Sequence, residues 1–528
     1  MAWNYDRTKT RLADEWKRID QTAYTITRLT REMDLNNLST TDVRQVNGVH
    51  TYADITNVDE LLYDPSQCRD DNRRIYRTLH LTRKELRHIQ QNIFNGDKIQ
   101  VQGSKFHGLL YRPYNDPETM AAGALLAGLA MNAALTTAFS TVFSTYPGLV
   151  PALGLELGDC LIASIGMRND RELISIGNAA NIPAKILTAS QLSIGDTLYD
   201  VLPADLQDWF THDGTAYRLN PATITTTELE DRISDEGFTW TLQGSIDRLQ
   251  EEADSLPLTD IAVEGVRETI DIDSLGPKLA KTCSAATIFI DLDGFTKLID
   301  DHTDDNDELI DAIKLLHLFR YELRAVTEHD YDSIAVQHQG DRLQVLYHDP
   351  DGTDDDVRAT AVDIAIACNS SVEEVINIEH KDILGKIHVA IGCDMGKALI
   401  GKLGTKGDRD PVVISRAAIT AEELQRDVAG NHLAITTTVY KALTDAAVKD
   451  QFTLRDDRNY EATGITFTKI DDAESTKAYK TATAAAYTSA GTITTAVRAP
   501  AAVAALRVTR PYAPSLASQL AVQPDSRH

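Results

Sequence analysis

The stretch ATIFIDLDGFTKLID, residues 286 to 300, is an apolar run that ends on two aspartates, Asp291 and Asp293, with Gly294 directly behind them. Read as a strand, it carries carboxylates to its own end, where a turn begins. Carboxylates placed there point to chemistry on a cation or a phosphate.

Sliding the chain against itself shows that this stretch belongs to a repeat. LVPALGLELGDCLIASIG (149–166) matches KIHVAIGCDMGKALIGKLG (386–404), with Gly154, Gly158 and Gly166 falling on Gly392, Gly396 and Gly404 at a shift of 238. At a shift of 237, HTYADITNVDELL puts Asp54 opposite Asp291, and VQGSKFHGLLY puts Gly103 opposite Gly340 of HQGDRLQVLY. The chain therefore reads as two copies of one domain, 40–205 and 280–475. They are preceded by a helical segment 1–39, joined by an acidic linker 206–279 and followed by an Ala- and Thr-rich tail 476–528. Within each copy the order of strand, helix, hairpin, helix, strand with hairpin, and helix predicts an α+β sheet with helices on one face.

Composition narrows the function. A length of 528 residues allows two or three domains, and a formal charge of −27 argues against a nucleic-acid partner, which would demand clustered Lys and Arg. Five scattered cysteines with no CxxC pair point to neither a zinc site nor a disulfide framework, and a charged N-terminus without an apolar run fits a cytoplasmic protein. One segment, residues 120–143, has no charge over a membrane-spanning length, but it aligns with the amphipathic 357–379. It is expected to be a buried helix rather than a membrane span.

Asp291 and Asp341 lie fifty residues apart, one at a strand end and one in a tight hairpin turn. If those strands are neighbours the carboxylates converge and can hold two divalent cations, the arrangement used for in-line phosphoryl chemistry. Gly294, Phe295 and Thr296 then offer backbone N–H groups suited to phosphate oxygens. Asn181 can also be read as an ordinary residue at the start of a helix, and Lys185 as a solvated lysine.

FIDLDGFTKL, HQGDRLQVLY and the IGxxxG run resemble the class III adenylate and guanylate cyclases, and the resemblance covers both copies. It implies two palm-type, ferredoxin-like domains packed head to tail as a pseudodimer within one chain. A homodimer that exchanges sites between chains is the other assembly it allows. It further implies a nucleoside triphosphate substrate, two divalent cations (Mn2+ or Mg2+), and a metal set of Asp291, Leu292 and Asp341. The partner domain supplies an Asn and an Arg, and the copies differ in complementary ways. The second reads SRAAITAEE, with Ile419 and Glu423 at those positions, whereas the first reads GNAANIPAK, with Asn181 and Lys185. The first copy in turn has Ser104 where the second has Asp341, so together they make one complete site. Lys406 and Arg409, in the loop TKGDRD, are candidate cations for the triphosphate.

The positions that read a purine in this family are Gln100 and Ile174 here. Without the usual purine pattern, the chain looks most like bacterial pyrimidine cyclases of the Pycsar type. That resemblance implies cyclic UMP or cyclic CMP as product, a downstream cyclic-nucleotide effector and a role in antiphage defence. Three alternatives stay open: an ordinary adenylate cyclase, a nucleotide-binding pseudocyclase, and the more distant diguanylate cyclases or haloacid dehalogenases. Against those last two stand HQGDRLQV in place of GGDEF, and the duplication itself.

Overall fold

The computed structural model describes residues 3–475 except 32, 36–37, 62–68, 168–169, 221–223, 302–304 and 381–384, so the tail from 476 lies outside the described residues. The chain folds as two nine-stranded mixed sheets of the same topology. The first unit contains α1 (Tyr5–Asp20), β1 (Thr25–Arg28), β2 (Asp42–Ile55), α2 (Arg69–Arg87), β3 (Asp97–Gln102), β4 (Lys105–Leu110), α3 (Pro117–Ala133), β5 (Pro151–Met167), β6 (Asp170–Ile176), α4 (Asn178–Lys185), β7 (Leu192–Ile194), β8 (Phe210–His212) and β9 (Tyr217–Leu219). The second contains α5 (Leu242–Ser255), β10 (Ala262–Gly265), β11 (Leu279–Asp293), α6 (Phe295–Asp301), α7 (Asn306–Arg324), β12 (Ile334–Gln339), β13 (Arg342–Tyr347), α8 (Asp354–Ser370), β14 (His388–Thr405), β15 (Asp408–Ile414), α9 (Arg416–Arg426), β16 (His432–Thr436), β17 (Thr453–Leu454) and β18 (Asn459–Thr463). The sheet orders are β3-β4-β2-β5-β7-β9-β8 and β12-β13-β11-β14-β16-β18-β17.

β11 is a central strand, flanked by β13 and β14, which is why its sequence is almost continuously apolar from Ala285 to Leu292. Gly154 and Gly392 recur because a helix crosses the sheet there at backbone distance. A Cβ on either would lie 2.1 Å from a carbonyl oxygen, that of Pro183 or of Ala421. The uncharged segment is a helix, Pro117–Val142, long and apolar enough to cross a membrane, yet 78% of its most apolar window is buried inside the protein.

The two units pack head to tail with reciprocal cores. Leu161, Ile165, Ile174 and Ile176 of the first unit are buried with the second unit's helices, and Leu399, Leu403, Val412 and Ile414 of the second with the first unit's. Polar contacts follow the same symmetry. Arg320 on α7 pairs with Glu172 on β6 at 2.6 Å, while Arg83 on α2 donates to the Asp410 carbonyl on β15 at 3.2 Å.

Residues 206–279 do not act as a linker. β8 and β9 complete the first sheet, and α5 with β10 repeats α1 with β1. Each of these arms crosses over. β1 pairs with β2 of its own unit while α1 docks on α7 of the other, where Arg11 Nε donates to Glu322 at 2.7 Å. α5 docks on α2, where Arg248 Nε donates to Glu85 at 2.9 Å, before β10 pairs with β11. The four described cysteines are free thiols.

Candidate active site

The register of β11 against β13 sets Asp291 opposite Arg342, so Asp341, one residue earlier in the hairpin turn, stands beside the strand end. Gly340 takes φ +68° there, a conformation glycine adopts without penalty. Both carboxylates are half-buried. Burial and then the neighbouring charge of Asp291 push Asp341 well above the usual carboxylate range. Asp291 is also raised, chiefly by burial, against the opposing pull of Arg342 and of the Gln425 amide, which donates to its Oδ2 at 3.1 Å. Asp293 points elsewhere and accepts the Gly430 N–H at 2.8 Å.

Two half-buried carboxylates whose proton affinity is raised form a site short of positive charge, which is what a divalent cation supplies. Among the described residues no group of three or more His, Cys, Asp or Glu is placed to hold a metal. The donor set is therefore two carboxylates, with the rest of a coordination shell left to backbone, water and phosphate. That composition suits Mg2+ or Mn2+ brought together with a nucleotide.

In the first unit the matching turn carries Ser104, whose hydroxyl donates to Asp54 at 2.6 Å. The geometry is preserved and one of the two charges is gone. Beside it lies a second pocket lined by Ile419, Glu422 and Glu423 of α9 and by Lys105, which pairs with Glu422 at 2.6 Å.

A narrow pocket between the units joins several of the sequence candidates. The first unit contributes Tyr52, Gln100, Gln102, His107, Ser175, Ile176 and Asn181, and the second Phe295, Thr296, Gln339, Gly340 and Asp341. Asn181 Nδ2 donates to Thr296 Oγ1 at 2.7 Å across the interface. α4 begins straight after β6, and Gly177 at φ +132° turns the chain so that Asn181, on the first turn, reaches the other unit.

Other candidates lie elsewhere. Gln100 lines the pocket, but its amide is engaged at both ends, donating to the His338 carbonyl at 2.5 Å and accepting from Gln102 at 3.0 Å. Ile174 is 1% exposed, packs in the core cluster and is not among the residues that line the pocket. Lys185 is exposed at the end of α4, outside the lining. Lys406 is exposed in the β14–β15 turn. Arg409 lies against Gly276 and lines a separate groove between the units. Leu292 is buried with its side chain in the core of the second unit.

Sequence reading missed Tyr52 and His107. Their rings stack at 4.2 Å and 18°, and His107 contacts His50 with 3.1 Å between ring nitrogens. β2 is a central strand with both faces buried around His50 and Thr51, so no alternation in the sequence marks which of these rings faces the pocket.

Asp291 and Asp341 of the second unit thus lie close to Asn181 of the first, a composition that would suit metal-assisted phosphoryl chemistry. Residues 279–479 match the adenylate and guanylate cyclase catalytic domain family. The second unit thus matches a cyclase catalytic domain, and the first unit repeats its sheet topology. A uridylate cyclase of Pseudomonas aeruginosa is 26% identical over 467 residues, spanning 84% of this chain and 87% of that protein. A uridylate cyclase of a Rhizobium species is 23% identical over 419 residues, 74% of this chain and 77% of that one. The solved structure of a class III adenylyl cyclase-like ATP-binding protein from Pseudomonas aeruginosa shares the fold, with a TM-score of 0.75 at 22% identity over 90% of this chain and all of that one.

Proposed function

We propose that the protein converts a pyrimidine nucleoside triphosphate, UTP ahead of CTP, into its 3′,5′-cyclic monophosphate and diphosphate. The observation that carries this reading is the pocket in which Asn181 of one unit meets Thr296 and Asp341 of the other. The 3′-oxygen attacks the α-phosphorus, its proton is lost, and diphosphate leaves in line. Two divalent cations on Asp291 and Asp341, manganese or magnesium, would lower the pKa of the 3′-hydroxyl and neutralise the phosphates. Asn181 fixes the ribose, and the backbone of Gly294, Phe295 and Thr296 receives phosphate oxygens. Lys185, exposed at the end of α4 and outside the pocket lining, would add at most a weak, screened charge toward the α-phosphate.

Two features support a one-ring base: the stacked Tyr52 and His107 narrow the pocket, and both relatives named above are uridylate cyclases. The resemblance to the Pycsar type extends the reading to a cytoplasmic enzyme whose product drives a downstream effector in antiphage defence. Incubating the purified protein with each of the four triphosphates and Mn2+, then separating products, tests the chemistry. Cyclic UMP should dominate. Cyclic AMP or cyclic GMP as the main product would overturn the pyrimidine assignment.

A further inference from the structure

His50 and His107 are adjacent on β2 and β4, and both are buried. His50 Nδ1 and His107 Nε2 lie 3.1 Å apart, so one proton is shared between them. Burial holds both rings neutral, with His50 lowered to about 3 and His107 well below the ordinary histidine value, the second also opposed by the first. A neutral ring carries a single N–H, so the contact allows two arrangements. If His107 donates from Nε2, the proton of His50 must sit on its own Nε2, which is buried with no partner. If His50 donates from Nδ1, its Nε2 is a bare lone pair and the proton of His107 moves to Nδ1. An orphaned buried N–H is the rarer and costlier defect, so the second arrangement prevails.

His107 therefore presents an N–H from Nδ1, an atom with no protein partner among the described residues, on a ring that lines the substrate pocket. The stack on Tyr52 fixes the plane of that ring. Its neighbour across the hairpin, Gln100, is already engaged with His338 and Gln102. A base lying against this wall, with its ribose at Asn181 and its phosphates at Asp341, would turn the edge farthest from its sugar toward the donor. That edge is where uracil bears a carbonyl and cytosine an amino group.

We propose that His107, with its proton placed on Nδ1 by His50, donates a hydrogen bond to the 4-carbonyl of uracil and so selects UTP over CTP. The assignment rests on the pyrimidine cyclase reading. His107 contacts the base directly, and His50 is a positioning residue.

Two measurements on the full chain test it. Nitrogen NMR of the 15N-labelled protein reads the tautomer without any variant: a protonated Nδ1 and bare Nε2 on His107 is expected, and the reverse overturns the proposal. Steady-state kinetics with UTP, CTP and 4-thio-UTP should show the wild type favouring UTP over each of the others by about tenfold or more in kcat/KM. In His107→Phe, which keeps the stack and removes the donor, those ratios should fall to about twofold, with half-saturating Mn2+ unchanged. Unchanged ratios in that variant, or in His107→Asn with its mixed amide should the first fail to fold, would overturn the base contact. Failure of the underlying reading is visible separately, as a wild type that cyclises no pyrimidine triphosphate at all.

Discussion

Glu422 on α9 is a carboxylate whose charge ties the two units together. Lys105 from the first unit reaches it at 2.6 Å and Arg342 from its own unit at 3.1 Å, with 19% of its side chain exposed. Burial alone would raise its pKa, but Arg342 and Lys105 outweigh burial and draw it from 4.5 to about 2. At about 1.4 kcal/mol per pKa unit that shift is worth about 3 kcal/mol, and solvent screening trims it toward 2. The folded pKa lies below the unfolded one. The contribution is therefore complete above pH 4.5 and is lost as pH falls from there towards about 2. Glu422→Gln keeps the shape and removes the charge. Urea unfolding followed by tryptophan fluorescence should show the variant about 2–3 kcal/mol less stable at pH 7, with the gap closing below pH 4.5. A difference under about 0.5 kcal/mol at pH 7, or one that does not change with pH, would refute the reasoning.

Three further outcomes follow from the same structure. Arg11→Met leaves Glu322, fully buried, without its cation, and should cost about 3–5 kcal/mol in urea unfolding, most of it recovered by adding Glu322→Leu. Asn181→Ala should lower kcat by about 10²–10³, whereas Lys185→Ala, outside the pocket lining, should cost less than about tenfold in the same turnover assay. Mixing an Asp341→Ala chain with an Asn181→Ala chain should restore no activity, because each chain interlocks its own two units through crossed arms. Recovered turnover would show that sites form between chains.

The duplication, the hairpin that carries Asp341 and the cross-unit position of Asn181 were all legible in the sequence. The first two rest on glycines and carboxylates whose spacing a sheet enforces, and the third on the resemblance to the cyclases. The arms were not. Trp3 and Trp240, Arg11 and Arg248, and Glu85 and Glu322 repeat at the same 237-residue shift. They are single residues in or beside otherwise different helices, however, and the partner of each arm lies on the other unit. An acidic, helical stretch between two domains reads as a linker until those ion pairs are seen. Ile174 misled for a different reason. The cyclase resemblance puts it at a base-reading position, but its side chain packs in the core shared between the units and only its neighbours Ser175 and Ile176 line the pocket. Gln100 reaches the pocket, yet its amide is satisfied by backbone and by Gln102, a pairing that no one-dimensional pattern displays.

The central claim is that one complete site is assembled from the aspartates of the second unit and the asparagine of the first, while the mirror site is inactive because Ser104 replaces an aspartate. Cyclic nucleotide formation by Asp341→Ala and by Asp54→Ala, measured side by side with Mn2+ and UTP, tests it most directly. Asp341→Ala should abolish turnover, and Asp54→Ala should keep most of it. Equal losses in the two variants would contradict it.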